Sequence, residues 1–396
     1  MLDQATMDLR FSPIRRLIGS FVALITLLPA SIVLLFPDTA FAQGFGVYEH
    51  GTCAMGRAAA TVAEPCDDGS AVFYNPAGLA DAEGVTVTGG ATLVASFGEF
   101  TSDTGESWDL QSDPIPVPHA FATVGMAGDV GLGLGVFVPY ALETVWPTGD
   151  FPGRYMGYDN GLETIYVQPT VAWSPAPWIS VGGGVDVVFG TVKLNQRLDL
   201  AQQEIVGGIT GGMLGIPFHT EFADVGLESD VGTGLGGHLG VRIEPTDRVT
   251  LGLRYMSQVE VDYGGDAEFT QLPTDLVVPA DLSLGPTTIP AGTPIDALLA
   301  SEFEEGEALG DQSVSTSITM PDQVVVGVAY RPTDRLLLEA DWQWVNWEDF
   351  DRLVIEFENA PEEVRVEEFE NTGGIRLGAE YDLREDIALR GGYTFA

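Results

Sequence analysis

The chain has 396 residues, with 58 Asp and Glu against 17 Lys and Arg, a formal charge of −41 and a single lysine, Lys193. That balance excludes nucleic acid as a partner, because phosphate binding needs clustered cations; the acidity reads as solvated loops of an exported protein in a salty or cation-rich setting. Yet 45% hydrophobic residues and 49 glycines sit oddly in a soluble acidic protein.

Residues 1–42 are predicted to be an export signal: Arg15 and Arg16 precede an apolar stretch from Leu17 to Phe36, and Ala40-Phe41-Ala42 supplies a small-x-small cleavage pattern. An uncleaved inner-membrane anchor is the alternative. Arg10, Arg15 and Arg16 balance Asp3, Asp8 and Asp38, so removal leaves the charge at −41. Cys53 and Cys66, 13 apart in the exported portion, are predicted to close a small loop by a disulfide; a zinc site lacks a second Cys or His pair nearby. Next comes "FYNPAGLADA" (73–82), where Asn75, Pro76, Ala77 and Gly78 form a knot that neither a helix nor a central strand can continue.

No run of about 18 apolar residues follows Phe36, which argues against a helical membrane protein. Instead the chain alternates with period two. In "RVTLGLRYMSQVEVDY", Val249, Leu251, Leu253, Tyr255, Val259, Val261 and Tyr263 fall on one face, opposite Thr250, Arg254, Glu260 and Asp262. "DRLLLEADWQW" and "GGIRLGAEYDL" repeat the pattern. A soluble sandwich would alternate likewise, so the connections decide. Tight turns near 126–131, 174–178, 244–248, 331–335 and 382–386 alternate with long connections near 100–117, 142–162, 198–225, 264–312 and 349–372, the asymmetry of an outer-membrane barrel.

Eleven strands are predicted, at 85–99, 118–127, 131–141, 163–174, 178–197, 226–244, 248–264, 312–331, 335–348, 372–382 and 386–396. Several exceed the roughly 9–11 residues that cross the hydrocarbon, so an extracellular collar is expected. The fold class is all-β, a transmembrane antiparallel barrel spanning 84–396 with long loops at 198–225 and 264–312.

Three stretches resemble the FadL and toluene-X family of outer-membrane transporters. "GRAAATVAEPCDDGSAVFYNPAGLA" (56–80) is similar to the family's hatch segment with its Asn-Pro-Ala signature. "LETIYVQPTVAWSP" (162–175) resembles its fourth strand, and the hairpin at 320–350 ends in a Trp-Ser/Thr-x-Phe-like box, Trp347 to Phe350, with Glu348 in place of the hydroxyl residue. The resemblance implies a fourteen-stranded barrel in a Gram-negative outer membrane, so about three C-terminal strands are expected to be missing. It also implies that residues 43–83 plug the lumen, with Pro76 fixing φ and Gly78 supplying a permissive one.

The implied function is passive uptake of long-chain fatty acids, or of aromatic or aliphatic hydrocarbons. Capture by outer loops would be followed by entry to a lumen pocket, movement of Gln43 to Val47 and lateral exit. A general porin or a surface adhesin is the alternative. Two loop segments show helical patterns, "DLAQQEIVGGITGGML" and "TPIDALLASEFEEG", the second with Thr293 as N-cap. Ile205, Ile209, Met213, Leu298, Leu299 and Phe303 are candidate capture contacts, although packing of these segments on each other is an equal reading. Candidate carboxylate partners are Arg254 and Arg376, with Arg242 and Arg390, and Arg154 and Lys193 near the extracellular side; pairing with lumen acids competes. Pro139, which cannot donate to a ladder, marks a break; the resemblance, through the family's inward-kinked third strand, implies a lateral exit with Phe137 and Tyr140 beside it, and a bulge without transport meaning is the other reading.

No cofactor or metal is expected, and no catalytic constellation is present: the histidines are scattered, and "GLGLG" and "GTGLGG" lie inside strands where they make room for the hatch. Outer-membrane lipid and lipopolysaccharide are the expected surroundings; the acidic loops 302–311 and 356–370 read as solvated faces, with divalent-cation bridging to lipopolysaccharide as the alternative. A monomer is expected.

Overall fold

A computed structural model describes residues 44–284 and 287–395; the predicted export signal lies outside the described residues. Eleven wall strands follow one another along them: β1 (Val85–Val94), β2 (Ile115–Met126), β3 in two pieces (Val130–Phe137 and Ala141–Val145), β4 (Asp159–Ala176), β5 (Ile179–Asp199), β6 (Glu221–Ser229 and Gly232–Thr246), β7 (Val249–Met256 and Val259–Gln271), β8 (Gln312–Met320 and Gln323–Thr333), β9 (Leu336–Val345 and Arg352–Phe357), β10 (Glu363–Val366 and Thr372–Arg384) and β11 (Ile387–Phe395). Each pairs antiparallel with the next, through tight turns at one end and long connections at the other.

The alternation in β7 is not one continuous face. Leu251, Leu253 and Tyr255 are exposed on the outside, whereas Val259, Val261 and Tyr263 are buried inside. Ser257 and Gln258 lie outside the strand pieces. Ser257 instead donates its N–H to Gly237 O (2.8 Å), and its hydroxyl accepts from Gly237 N (2.9 Å). The break moves the alternation by one residue, which carries the whole apolar set to the other side of the sheet. β8 inverts in the same way at Pro321-Asp322, with Val326 and Val328 exposed below the break and Ile318 buried above it, because Pro321 has no N–H to continue the ladder.

Two tiers result. The tier nearest the tight turns is apolar outside, suited to lipid. The tier beyond the breaks is acidic outside, with Glu260, Asp262, Asp266 and Glu268 exposed, and apolar inside. It is the collar that the strand lengths called for.

Residues 44–84 fill the lower tier as a hatch. They contain the short helices α1 (Thr52–Gly56) and α2 (Ala71–Tyr74) and a 3-10 turn, Pro76–Asp81, and a disulfide joins Cys53 to Cys66. Wall glycines let the hatch approach. A Cβ at Gly131, Gly182, Gly240, Gly252 or Gly378 would run into Leu79, Pro76, Asn75, Val62 or Arg57 respectively, so the plug touches strands β3, β5, β6, β7 and β10. Buried charge fixes its orientation. Arg57 donates to Glu339 Oε2 (2.7 Å), Glu64 O (3.1 Å) and Cys66 Sγ (2.8 Å), while Asp341 Oδ2 accepts the N–H groups of Thr61 (2.8 Å) and Val62 (3.0 Å).

Asn75 is the hinge between plug and wall. Its Oδ1 accepts from Ala77 N (3.1 Å), capping the 3-10 turn, and its Nδ2 donates to Val62 O (2.6 Å) in the hatch and to Val241 O (3.2 Å) on β6. Pro76 takes the first helical position. The expected role of Gly78 is corrected: its φ is not among the positive ones, and its lack of a side chain instead clears the ring of Pro65. The Asn75→Ala variant loses the bonds to the Val62 and Val241 carbonyls and to Ala77 N, the first of them buried, and should loosen the hatch by about 3 kcal/mol. Amide exchange of residues 76–81, faster than in the wild type while β4 is unchanged, is the readout.

Candidate functional site

Phe137, Pro139 and Tyr140 lie where the wall parts. The β2–β3 ladder ends at His119↔Phe137, although β2 continues against β1 as far as Ile115↔Val94. On its β4 side, Tyr140 O accepts from Thr164 N (3.2 Å); on the side that β2 has left, Val47 N donates to Pro139 O (2.7 Å) and Ala141 N donates to Phe45 O (3.1 Å). The N-terminal segment therefore supplies the pairing that the wall strand gave up.

Phe45 is held by four rings. Its centroid lies 4.6 Å from Trp347, 5.6 Å from Phe350, 6.2 Å from Tyr140 and 6.4 Å from Phe369, all edge-to-face, the favoured aromatic geometry. Trp347 and Phe350 come from the break in β9, and Phe369 from the break in β10. Gly44 has φ +59° and space only for hydrogen beside the Trp347 ring, so the clasp demands glycine there. Tyr140 turns into the lumen, donating to Pro321 O (2.8 Å) and accepting from Gln323 Nε2 (2.5 Å). Sequence reasoning marks the Trp347–Phe350 box but misses Phe45 as its guest.

Beside the hatch is a cavity of about 10 Å³, room for about one water, lined by Tyr48, Phe73, Tyr74, Asp341, Gln343, Arg254 and Arg376, among others. Arg254 is 4% and Arg376 5% exposed. Arg254 donates to Gln323 Oε1 (3.2 Å) and lies 4.3 Å from the Phe73 ring centre; Arg376 lies 4.4 Å from that of Tyr48. Neither is among the cations that form ion pairs in the described residues. The other candidate cations are paired: Arg154 with Glu221, Lys193 with Asp159 (2.5 Å), Arg242 with Asp81 and Glu244, and Arg390 with Glu380 (2.6 Å). A second cavity, of about 20 Å³, lies in the collar among Val192, Leu227, Tyr263, Val314 and Ile355.

The outer loops pack chiefly on each other. Ile205 and Leu299 are buried in one cluster with Leu200, Phe222, Val278 and Ile295, and Leu298 and Phe303 pack against it; Ile209 is half-buried, and Met213 is 72% exposed. The helical pattern at 199–214 is overturned: Glu204–Val206 and Ile209–Thr210 form a small hairpin, because Gly207 and Gly208 take positive φ and make a turn there. The second pattern holds as a helix, Ile295–Leu299, but Pro294 rather than Thr293 stands at its N-cap, and the Thr293 hydroxyl donates to Pro290 O instead (2.8 Å).

A strand wall with a lipid-suited outer face around a plugged lumen defines an outer-membrane channel of the hatch type. Residues 33–396 match the family described as "Outer membrane protein transport protein (OMPP1/FadL/TodX)", and the chain belongs to that family of outer-membrane transporters of hydrophobic compounds. It is 22% identical to the Outer membrane protein P1 of Haemophilus influenzae, over 92% of this chain and 79% of that protein. It is also 22% identical to a Long-chain fatty acid transport protein of Escherichia coli O6:H1, over 92% and 80%. In fold it is similar to a FadL homologue of Pseudomonas aeruginosa, with a TM-score of 0.69 and 21% identity over 89% of this chain and 80% of that one. The Ralstonia pickettii toluene transporter TbuX superposes at a TM-score of 0.64, with 20% identity over 89% and 86%.

Replacing Phe45 by Ala empties the clasp and leaves residues 45–47 joined to β3 by two backbone hydrogen bonds, with Tyr48 to His50 still tied to Tyr74 and Thr92. Brief ionic-current events in planar bilayers, absent for the wild type, are the expected consequence; an equally silent variant would show that the clasp does not hold the plug.

Proposed function

We propose that the chain is a passive channel for long-chain carboxylic acids. The observation that carries this is the presence of Arg254 and Arg376, buried and in no ion pair among the described residues, at one cavity beside the hatch whose lining carboxylate, Asp341, is already engaged by the N–H groups of Thr61 and Val62. A buried cation lacking a counter-ion costs several kcal/mol, and a fatty-acid carboxylate is an anion that would reduce that cost while its tail meets apolar lining. The collar supplies that lining through its inverted faces. Burying ten methylenes contributes about 8 kcal/mol before ordering costs, enough for capture from water with no energy source. The family consists of transport channels, and we place this chain among them rather than among enzymes.

Both cavities have room for little more than a water, against the roughly 300–1,000 Å³ that encloses drug-sized ligands, so passage needs the plug to yield. The segment 44–47 is the part placed to yield, since Phe45 and Val47 pair with β3 where β2 has left it and the next residue, Tyr48, lines the arginines' cavity. Phe137, Pro139 and Tyr140 then border a lateral way out to lipid. A second reading, uptake of monoaromatic hydrocarbons, is favoured by one observation, the four-ring clasp, which would accept a substrate ring once Phe45 withdraws.

Uptake of radiolabelled oleate and toluene by a host lacking its own transporter separates the readings. The Arg254→Met, Arg376→Met double variant should lower oleate uptake at limiting concentration by roughly tenfold or more, since hydrogen bonds to charged groups contribute about 1.5–3 kcal/mol, and leave toluene uptake unchanged. Equal oleate uptake by empty vector and wild type would remove the transport claim.

A further inference from the structure

We infer that His50 makes the N-terminal latch proton-controlled: acid releases the segment Gly44–His50 from β3. His50 lies on the hatch just after the paired residues 45–47 and is fully buried. Its ring sits edge-on to Phe73 at 4.7 Å and lies 5.2 Å from Phe137 and 6.2 Å from His119. Neither ring nitrogen has a hydrogen-bond partner among the described residues. Its backbone is spoken for, donating to the Tyr74 hydroxyl (3.0 Å), which in turn donates to Tyr48 O.

The charged and titratable neighbours give an imidazolium nothing to pair with. His119 faces it from β2, and Arg254 from β7, stacked over Phe73. Tyr74 of α2 contributes a phenol that burial holds neutral. On its own segment, the Glu49 carboxylate turns to Tyr48 N (3.0 Å). Asp68 is engaged by the N–H (3.0 Å) and hydroxyl (2.5 Å) of Ser70. Burial first, then His119 and Arg254, push His50 down from 6.5 to about 3, and only the Val47 backbone, which stands outside hydrogen-bond geometry to the ring, acts the other way.

The closed segment has the depressed value and the released, solvated segment the ordinary one. The latch is therefore at full strength above about pH 6.5 and weakens as pH falls from 6.5 toward 3. At pH 5 the released population gains by about thirtyfold over pH 7.5. This concerns the latch alone and stands apart from which molecule passes.

The test is amide hydrogen exchange of the full chain in detergent micelles without substrate, at pH 7.5 and 5.0, corrected for intrinsic rates. Protection of residues 44–50 should fall about thirtyfold at pH 5.0 while residues 71–81 stay unchanged, and His50→Gln should abolish the fall. His119→Gln, which leaves His50 in place, should keep a pH-dependent release. Equal protection at both pH values in the wild type overturns the inference, as does an undiminished fall in His50→Gln or its loss in His119→Gln alone.

Discussion

Inside a hydrocarbon layer every backbone N–H and C=O of a wall must find a partner within the protein, and the architecture can be read from how that constraint is met where the ladder stops. Pro139 ends the regular pairing of β3, and Phe45 and Val47 supply the hydrogen bonds that β2 no longer offers. Where the first piece of β7 stops, the hydroxyl and N–H of Ser257 serve Gly237 on β6. The breaks at 346–351 and 367–371 send Trp347, Phe350 and Phe369 onto Phe45. Plug and wall are thus complementary in hydrogen bonding as well as in shape.

Much of this is legible in period two. The strand and turn positions and the long loops follow from alternation and from Pro, Asp and Gly clusters. The cysteine pair and the special place of Asn75 are visible too, since their chemistry is local. What period two cannot reveal is phase. Val249 to Tyr263 reads as one apolar face, because a break that drops a single residue from the ladder leaves the pattern of letters intact while inverting which medium each letter meets. Long-range aromatic partners are hidden for a related reason: Phe45 and Trp347 are joined only by closure of the fold.

The buried charges divide by partner. Arg57 and Glu339 face each other across plug and wall at 2.7 Å, and Asp341 is satisfied by two backbone donors, so these groups hold a register; removing either member of the Arg57 pair would strand the other in a dry site. Arg254 and Arg376 have rings and amides around them, and the carboxylate beside them, Asp341 opposite Arg376, is already held by the hatch backbone. Alternation puts Arg254 and Arg376 on inward faces just as it does Arg242 and Arg390, and only the packed lumen separates cations that are neutralised from cations that are open to an anion.

Arg254 also ties the two proposals together. It stacks on Phe73, whose other neighbour is His50, and its positive field is one of the causes that keep His50 neutral. An anion settling on Arg254 would weaken that field and so favour a proton on His50; by the reciprocity of linked equilibria, the proton would in turn strengthen anion binding. A carboxylate on Arg254 therefore brings the closed-state value of His50 nearer to its released one and blunts the acid release of segment 44–50, whereas a neutral hydrocarbon leaves that release unchanged, so the charge of the ligand becomes part of how the plug responds to pH.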